Sequence, residues 1–433
     1  MTSSHRQRGP STTWKGLVAV VALLVVALAG VVGARLLDVG PYRDTGASTS
    51  ATPAASASPT PTLPAVGGMR AEEIDGRMRI VDETGERFKV SAANWYGAET
   101  PDLVPGGLDR RPLADMAEEL ADAGFNTVRL PWSNEMVRDD EVPDPARVAA
   151  NPQLQGKTAL EVYDAVVEAL ADADLRIILD NHHSTADWCC NIRDGNGLWY
   201  TAEHPESEWL EHWTLMAKRY EDQPAVIAAE LRNEIRFDVK TDRMPTWGSG
   251  DEETDWKRAA TLGVEAVHSV APRLLVVVGG LEHNSKLIEQ FRDPLKISRQ
   301  DKLVYAVHDY AWRHSDEALS SQSLFNRRIQ TRWGGMNDAR NDFAAPVLLT
   351  EWGACIRHDA SETDCDPSRA KFLTRMASNL ETTDIGFAWW AFNGTQSSGY
   401  TRTRGKDETY GLADTQWRLS FDALPSELQG LLR

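Results

Sequence analysis

The chain has 433 residues, enough for one large domain or two ordinary ones, and its 42% hydrophobic and 25% charged content is that of a soluble globular protein. The formal net charge is −18; the first 66 residues carry Arg6, Arg8, Lys15, Arg35 and Arg43 against Asp38 and Asp44, which leaves the remainder at about −21. Such a field repels nucleic acid and anionic lipid and suits a neutral substrate.

The N-terminus opens with a basic tail (1–15), followed by the uncharged run GLVAVVALLVVALAGVVGA over residues 16–34. This run is long enough to cross a bilayer as a helix. With Arg6, Arg8 and Lys15 before it, the tail is expected in the cytoplasm and everything after residue 38 outside. A cleaved signal peptide is the alternative, although its apolar region is usually about 7–15 residues. Either way the expected location is the cell membrane with an extracellular domain, or secretion if the helix is removed. Residues 39–68 form a linker, rich in Ala, Ser, Thr and Pro, that cannot build a core.

From residue 69 to 433 apolar strand-like runs alternate with helical patterns. The expected strands are Phe88–Asn94, Asn126–Pro131, Arg176–Asn181, Val226–Asn233, Leu274–Val278, Leu303–His308, Val347–Glu351 and Gly386–Ala391. The clearest helices are Leu113–Ala123, Leu160–Ala173, Trp209–Tyr220, Trp256–Val270, Leu324–Met336 and Arg369–Leu380. In the second, Leu160, Tyr163, Val166, Val167 and Leu170 recur at helical spacing and make one apolar face. The strands are Val/Ile/Leu runs of the kind buried on both faces in parallel sheets. The pattern predicts an α/β fold, a (β/α)8 TIM barrel. A doubly wound sheet is the rival, but Asn94-Trp95-Tyr96-Gly97 after the first strand is no dinucleotide loop. A hairpin at Met78–Arg87, turning at Asp82–Gly85, is expected to plug the barrel bottom.

Four cysteines, Cys189, Cys190, Cys355 and Cys365, allow three pairings. Without a C-x-x-C spacing a structural zinc site is not expected. Cys355–Cys365 would close a short loop worth roughly 2–3 kcal/mol in the chain-entropy account. Cross-pairing with Cys189 or Cys190 is open, and an adjacent Cys189–Cys190 bridge, being strained, is the least favoured.

Polar and aromatic residues gather at the C-terminal strand ends, where barrel enzymes place their sites. Two tips, Asn233-Glu234 and Glu351-Trp352-Gly353, deliver carboxyl groups, and glycoside hydrolysis needs two. The string Asn94-Trp95-Tyr96-Gly97, Gly124-Phe125-Asn126-Thr127-Val128-Arg129-Leu130-Pro131, Asp180 with His182, Asn233-Glu234, His308 with Tyr310, Glu351-Trp352-Gly353 and Trp390 resembles glycoside hydrolase family 5. The similarity runs from about Ile74 to Asp414. It implies a retaining hydrolase of a β-glucan-type polysaccharide, similar to endo-β-1,4-glucanases. Glu351 would be the nucleophile, with Arg129 and Tyr310 lowering and fixing its carboxylate. Glu234 would be the acid/base, its pKa raised by burial and by the Glu351 charge. Asn233 would hold the sugar 2-hydroxyl, His182 and His308 would line the reacting subsite, and Trp390 would stack on the sugar. The carboxyl groups should lie about 5–5.5 Å apart. No cofactor and no metal are expected; the partners are a polysaccharide or oligosaccharide and, through the N-terminal helix, a membrane.

Two departures from the family pattern stand out: Ile235 where Pro usually follows the acid/base, and Arg232 where His often precedes the Asn. The 15 Trp serve either as core or as sugar platforms; Trp132, Trp188, Trp199 and Trp352 read as loop core. His183 reads as a neighbour of the site, and Asn393-Gly394-Thr395 as site architecture although it matches a glycosylation acceptor. Other readings are a metal-dependent hydrolase using Asp180, His182, His183 and His308, and a catalytically silent glycan-binding barrel. β-Mannan, β-1,3-glucan and glycolipid remain alternative substrates.

Overall fold

The computed structural model describes residues 67–356 and 365–432. The membrane-anchor reading of residues 16–38 lies outside them; among the described residues no helix is long and apolar enough to cross a membrane. Eight parallel strands close into a barrel: β3 (Ser91–Asn94), β4 (Thr127–Ser133), β5 (Arg176–His183), β6 (Val226–Glu230), β7 (Leu275–Gly279), β8 (Leu303–Asp309), β9 (Val347–Trp352) and β10 (Gly386–Trp389), with β10 paired back to β3. All eight coincide with expected strands. β3 begins later than expected, at Ser91, and β6 ends earlier, at Glu230, so the Asn233-Glu234 tip lies beyond the sheet.

The apolar runs work on both faces. Ile177, Val276 and Leu349 pack outward with the helices, whereas their neighbours Ile178, Val277 and Leu348 pack inside the barrel. Side chains alternate along a strand, so one continuous run fills both layers. The inner face also changes character along each strand. Ala92 is followed two residues on by Asn94, Ile178 by Asp180, Ala228 by Glu230, Ala306 by His308 and Leu348 by Thr350, all buried. The N-terminal half of the lumen is therefore apolar and the C-terminal half polar.

The bottom is closed by a hairpin, one turn earlier in the chain than expected. Its strands are β1 (Arg70–Ile74) and β2 (Arg77–Val81), turning at Asp75-Gly76, where both residues have positive φ. The expected Asp82–Gly85 turn exists too, but joins β2 only to an isolated bridge at Arg87. Met69, Ile80 and Phe88 pack against the inner barrel residues, so this segment does plug the lumen. The reason for the difference is local: Asp75-Gly76 accepts the left-handed turn that a two-residue hairpin requires.

The cysteines pair as Cys355–Cys365 and, against expectation, as adjacent Cys189–Cys190. The loop after β5 brings both of the latter sulfurs beside Asn233, whose Nδ2 lies 3.3 and 3.4 Å from them.

Candidate active site

The polar end of the lumen is organised by Arg129 of β4, which is fully buried. Its Nε and Nη2 donate to Glu230 at 2.8 and 3.1 Å, Nη1 to Glu351 Oε1 at 3.1 Å and to Asn94 at 2.9 Å, and Nη2 to Asn233 Oδ1 at 2.8 Å. Asp180 Oδ1 lies 3.1 Å from Nη2. One guanidinium thus faces three carboxylates, and removing it would leave buried charge uncompensated, at a cost of about 3–5 kcal/mol.

Glu351 owes its inward aim to a bulge. The β8–β9 register runs Val307↔Leu349 and then His308↔Glu351, so β9 carries an extra residue, Thr350. Bulges re-aim side chains. Here Thr350 donates to Glu230 at 3.1 Å while the next residue, Glu351, reaches Arg129, so two consecutive side chains enter the lumen. The Tyr310 hydroxyl donates to the other oxygen, Oε2, at 3.0 Å.

Glu234 is presented differently. It stands past β6 with φ 41°, a left-handed conformation that costs a non-glycine residue about 1–3 kcal/mol and persists where surroundings enforce it. The enforcement is visible. The indoles of Trp209 and Trp213 both donate to the Leu231 carbonyl, at 3.1 and 3.0 Å, and Asn233 N donates to Asn181 O at 3.0 Å. Arg232, in place of the usual His, is buried and donates to Asn181, Ser184 and the Leu198 carbonyl; burial pushes it down to about 9. It braces the post-β5 loop and does not touch Glu234.

His308 Nδ1 lies 2.9 Å from Glu234 Oε1 and 3.4 Å from Glu351 Oε2, and one oxygen of each carboxyl and the ring nitrogen all fall within 4.8 Å of one another. The electrostatic order differs from expectation. Burial pushes Glu351 up, to about 7, against the opposing pull of His308 and Arg129. Burial also pushes Glu234 up, but hydrogen bonds to His283 and His308 outweigh it and hold Glu234 well below the ordinary carboxylate range. Sequence could not show the second imidazole: His283 Nδ1 sits 2.9 Å from Glu234 Oε2. Against burial, the Glu351 and Glu234 carboxylates raise His308, and an imidazolium donating to a carboxylate holds the same proton as a neutral imidazole beside a carboxylic acid, so the acid's proton lies within one hydrogen bond of Glu234 Oε1.

The remaining expected residues converge on the same cleft of about 530 Å³, lined by His182, Asn233, Glu234, Tyr310, Glu351 and Trp390. His182 is held by Asp180 at 2.6 Å, and burial keeps it well below the usual imidazole range and therefore neutral. Trp390 stacks on His182 and on Tyr96, with ring centroids 5.5 and 5.4 Å apart. Trp132, Trp199 and Trp352 are core as expected, but Trp188 lines the cleft under the Arg402 guanidinium, 3.5 Å from its ring centroid. Asn393 is buried and exchanges two hydrogen bonds with the Tyr96 backbone, which closes it to a glycan.

Sequence reasoning missed His283, Glu230 and Trp312. Trp312, 56% exposed, stacks on Tyr310 at 4.5 Å and lines the cleft; its position just past a strand tip was a usable signal. The metal-site reading fails on geometry: Asp180 serves His182 and Arg129, His183 faces Asp194 at 3.7 Å, and His308 faces Glu234, so the four do not converge. His182, Cys189 and Cys190 do cluster, but the sulfurs are bonded to each other and are not thiolate ligands.

Comparison with known proteins agrees with this arrangement. The major extracellular endoglucanase of Xanthomonas campestris is 34% identical over 380 residues, covering 83% of this chain and 74% of that protein. An endoglucanase of Paenibacillus polymyxa is 29% identical over 333 residues, 73% of this chain and 78% of that protein. The catalytic domain of the Xanthomonas enzyme superposes with a TM-score of 0.67 at 25% identity, over 82% of this chain and 97% of that one. The endocellulase of Pyrococcus horikoshii, solved with cellotetraose, shares the fold with a TM-score of 0.70 at 23% identity, over 85% of this chain and 99% of that one. The family cellulase (glycosyl hydrolase family 5) matches residues 81–395, the span that carries every strand of the barrel, and this chain, an O-glycosyl hydrolase, belongs to that family.

Proposed function

We propose that the protein is a retaining endo-β-1,4-glucanase that works by double displacement. The observation that carries this reading is the pair Glu234 and Glu351, facing one another across a single cleft with His308 between them. A retaining pair needs its carboxyl groups about 5–5.5 Å apart, and one oxygen of each lies within 4.8 Å of the other, a spacing that supports direct attack by one carboxylate. Glu351 attacks the anomeric carbon as Glu234 gives its proton to the departing oxygen. The covalent ester neutralises Glu351; Glu234, now ionised, takes a proton from water, whose oxygen attacks the anomeric carbon and expels the Glu351 carboxylate, regenerating both groups. Tyr310 remains a proton donor because burial pushes its hydroxyl well above its usual range. Asn233, oriented by Arg129, offers its amide to the 2-hydroxyl, and the stacked Tyr96–Trp390–His182 wall receives the sugar face.

The similarity to endoglucanases supports the β-1,4-glucan assignment. A panel of carboxymethyl-cellulose, β-mannan, β-1,3-glucan and lichenan, with Glu351→Gln as the blank, tests it. Fast viscosity loss on carboxymethyl-cellulose with few reducing ends is expected; preferential release from β-mannan or β-1,3-glucan would reassign the substrate. Proton NMR of the first product should show the β-anomer.

The uncharged 16–34 run after Arg6, Arg8 and Lys15 supports an uncleaved anchor holding the domain outside the cell on the 39–68 linker. Retention in the membrane pellet after carbonate washing is expected; a mature N-terminus beyond residue 38 in the medium would show cleavage.

A further inference from the structure

His283 stands where the family motifs place nothing, and the fold spends considerable local structure to put it there. β7 ends at Gly279-Gly280, and the chain then takes three consecutive left-handed residues, Glu282, His283 and Asn284, at φ 53°, 60° and 53°. Left-handed backbone costs an L-residue roughly 1–2 kcal/mol. The glycines are obligatory for this path: a Cβ on Gly280 would lie 1.9 Å from the Lys286 carbonyl oxygen, and one on Gly279 2.3 Å from Asn284 Oδ1. The turn is pinned at its base, where Trp256 Nε1 donates to Gly279 O at 2.9 Å, and at its tip, where His283 N donates to Ile235 O at 2.9 Å. The second bond ties His283 to the residue that follows Glu234.

The result is a division of the Glu234 carboxyl. Oε1 faces His308, which is fully buried; Oε2 faces His283, whose side chain is 26% exposed on the cleft wall. Oε2 is therefore the oxygen on the open side, and the glycosidic oxygen must approach it past His283.

We infer that His283 is a positioning residue of the reaction, holding Oε2 of Glu234 toward the leaving-group oxygen through its 2.9 Å hydrogen bond. This rests on Glu234 being the acid/base. The other charged or titratable groups facing Glu234 are His308 and Tyr310 from β8 and its loop, Glu351 from β9, His182 from β5, and Arg236, whose Nη1 donates to the Glu234 backbone carbonyl at 2.9 Å. None of them reaches Oε2 from the solvent side. Glu282, next to His283, is paired with Lys286 at 2.8 Å.

The test compares two aryl β-cellobiosides, because a 2,4-dinitrophenolate leaves without acid help and a phenolate does not. His283→Ala should lower kcat on phenyl β-cellobioside about tenfold, a part of the full general-acid contribution, with less than about twofold change on the dinitrophenyl substrate. The basic limb of kcat/KM should move to higher pH, because the hydrogen bond from His283 that helps hold Glu234 below its ordinary range is then gone. His283→Gln, which keeps a neutral donor, should recover most of the rate on phenyl β-cellobioside and return the limb toward its wild-type position. Equal losses on both substrates, or an unmoved limb in His283→Ala, would overturn the inference. If Glu351→Gln or Glu234→Gln instead stayed active on cello-oligosaccharides, the carboxyl pair itself would be misassigned; inactive carboxyl variants beside a wild-type-like His283→Ala would remove His283 alone.

Discussion

Glu351 stands within β9, inside the sheet, and is aimed by a bulge; its hydrogen bonds come from a buried guanidinium and a phenol, with His308 3.4 Å from Oε2. Glu234 stands beyond the end of β6 on a left-handed residue, and both its carboxyl oxygens are hydrogen-bonded to imidazoles, His308 and His283. The difference matches two jobs. A nucleophile must hold one position and one charge state through attack. An acid/base must change protonation twice per turnover, and imidazole nitrogens, which donate or accept according to tautomer, can serve either state of the carboxyl.

The comparison can be broken at its most rigid point first. Glu351→Gln should reduce kcat on cello-oligosaccharides by about 10⁴-fold or more, with binding retained by calorimetry; near-normal turnover would remove it as nucleophile. Glu234→Gln should cost about 10²–10⁴-fold on the same substrates and far less on 2,4-dinitrophenyl β-cellobioside. An equal loss on both would mean that Glu234 is not acting as an acid.

Tyr310→Phe removes one hydrogen bond to the Glu351 carboxylate, a contribution of about 1.5–3 kcal/mol. A fall in kcat of roughly ten- to a hundredfold is expected, with thermal stability little changed, because the phenyl ring can keep its stack with Trp312. A change in KM alone would place the hydroxyl on substrate rather than on Glu351.

The smallest effect is a shift of profile. Glu351 attacks as its anion, and burial has pushed it up to about 7, so kcat/KM should fall as pH drops through that value. The Glu234 charge contributes to this upward push. In Glu234→Gln, measured on the dinitrophenyl substrate, the acid limb should therefore move to lower pH. An acid limb already below about pH 5 in the wild type would contradict the burial account.

Much of this site was legible as strand tips. Arg129, Asp180, His182, Asn233, Glu234, His308, Tyr310, Glu351 and Trp390 were read from the ends of apolar runs, and the structure gathers them around one cleft or its floor. The electrostatic order of the carboxyls differs from expectation, because burial outweighs Arg129 at Glu351 and because Glu234 meets His283 as well as His308, and His283 follows a Gly-Gly turn with no pattern of its own. The hairpin turns earlier than the sequence predicts because two adjacent turn signals, Asp75-Gly76 and Asp82–Gly85, compete, and the first takes the left-handed two-residue turn a hairpin requires. Trp188 shows the same limit: an indole beside an Arg402 more than two hundred residues away in the chain gives no local sign of its place in the cleft.

Local alternation determined the barrel and its polar end. Each strand carries its own switch from apolar to polar two residues along one face, as in Ala228 to Glu230 and Ala306 to His308, and period-two alternation needs no distant partner to be read. Tertiary structure alone decided that Thr350 and Glu351 enter the lumen together, that Glu230 shares Arg129 with the nucleophile, and that an imidazole from the β7 loop meets the open oxygen of Glu234. Those outcomes depend on register and on the path of a turn, which are set by neighbours brought together only when the sheet closes.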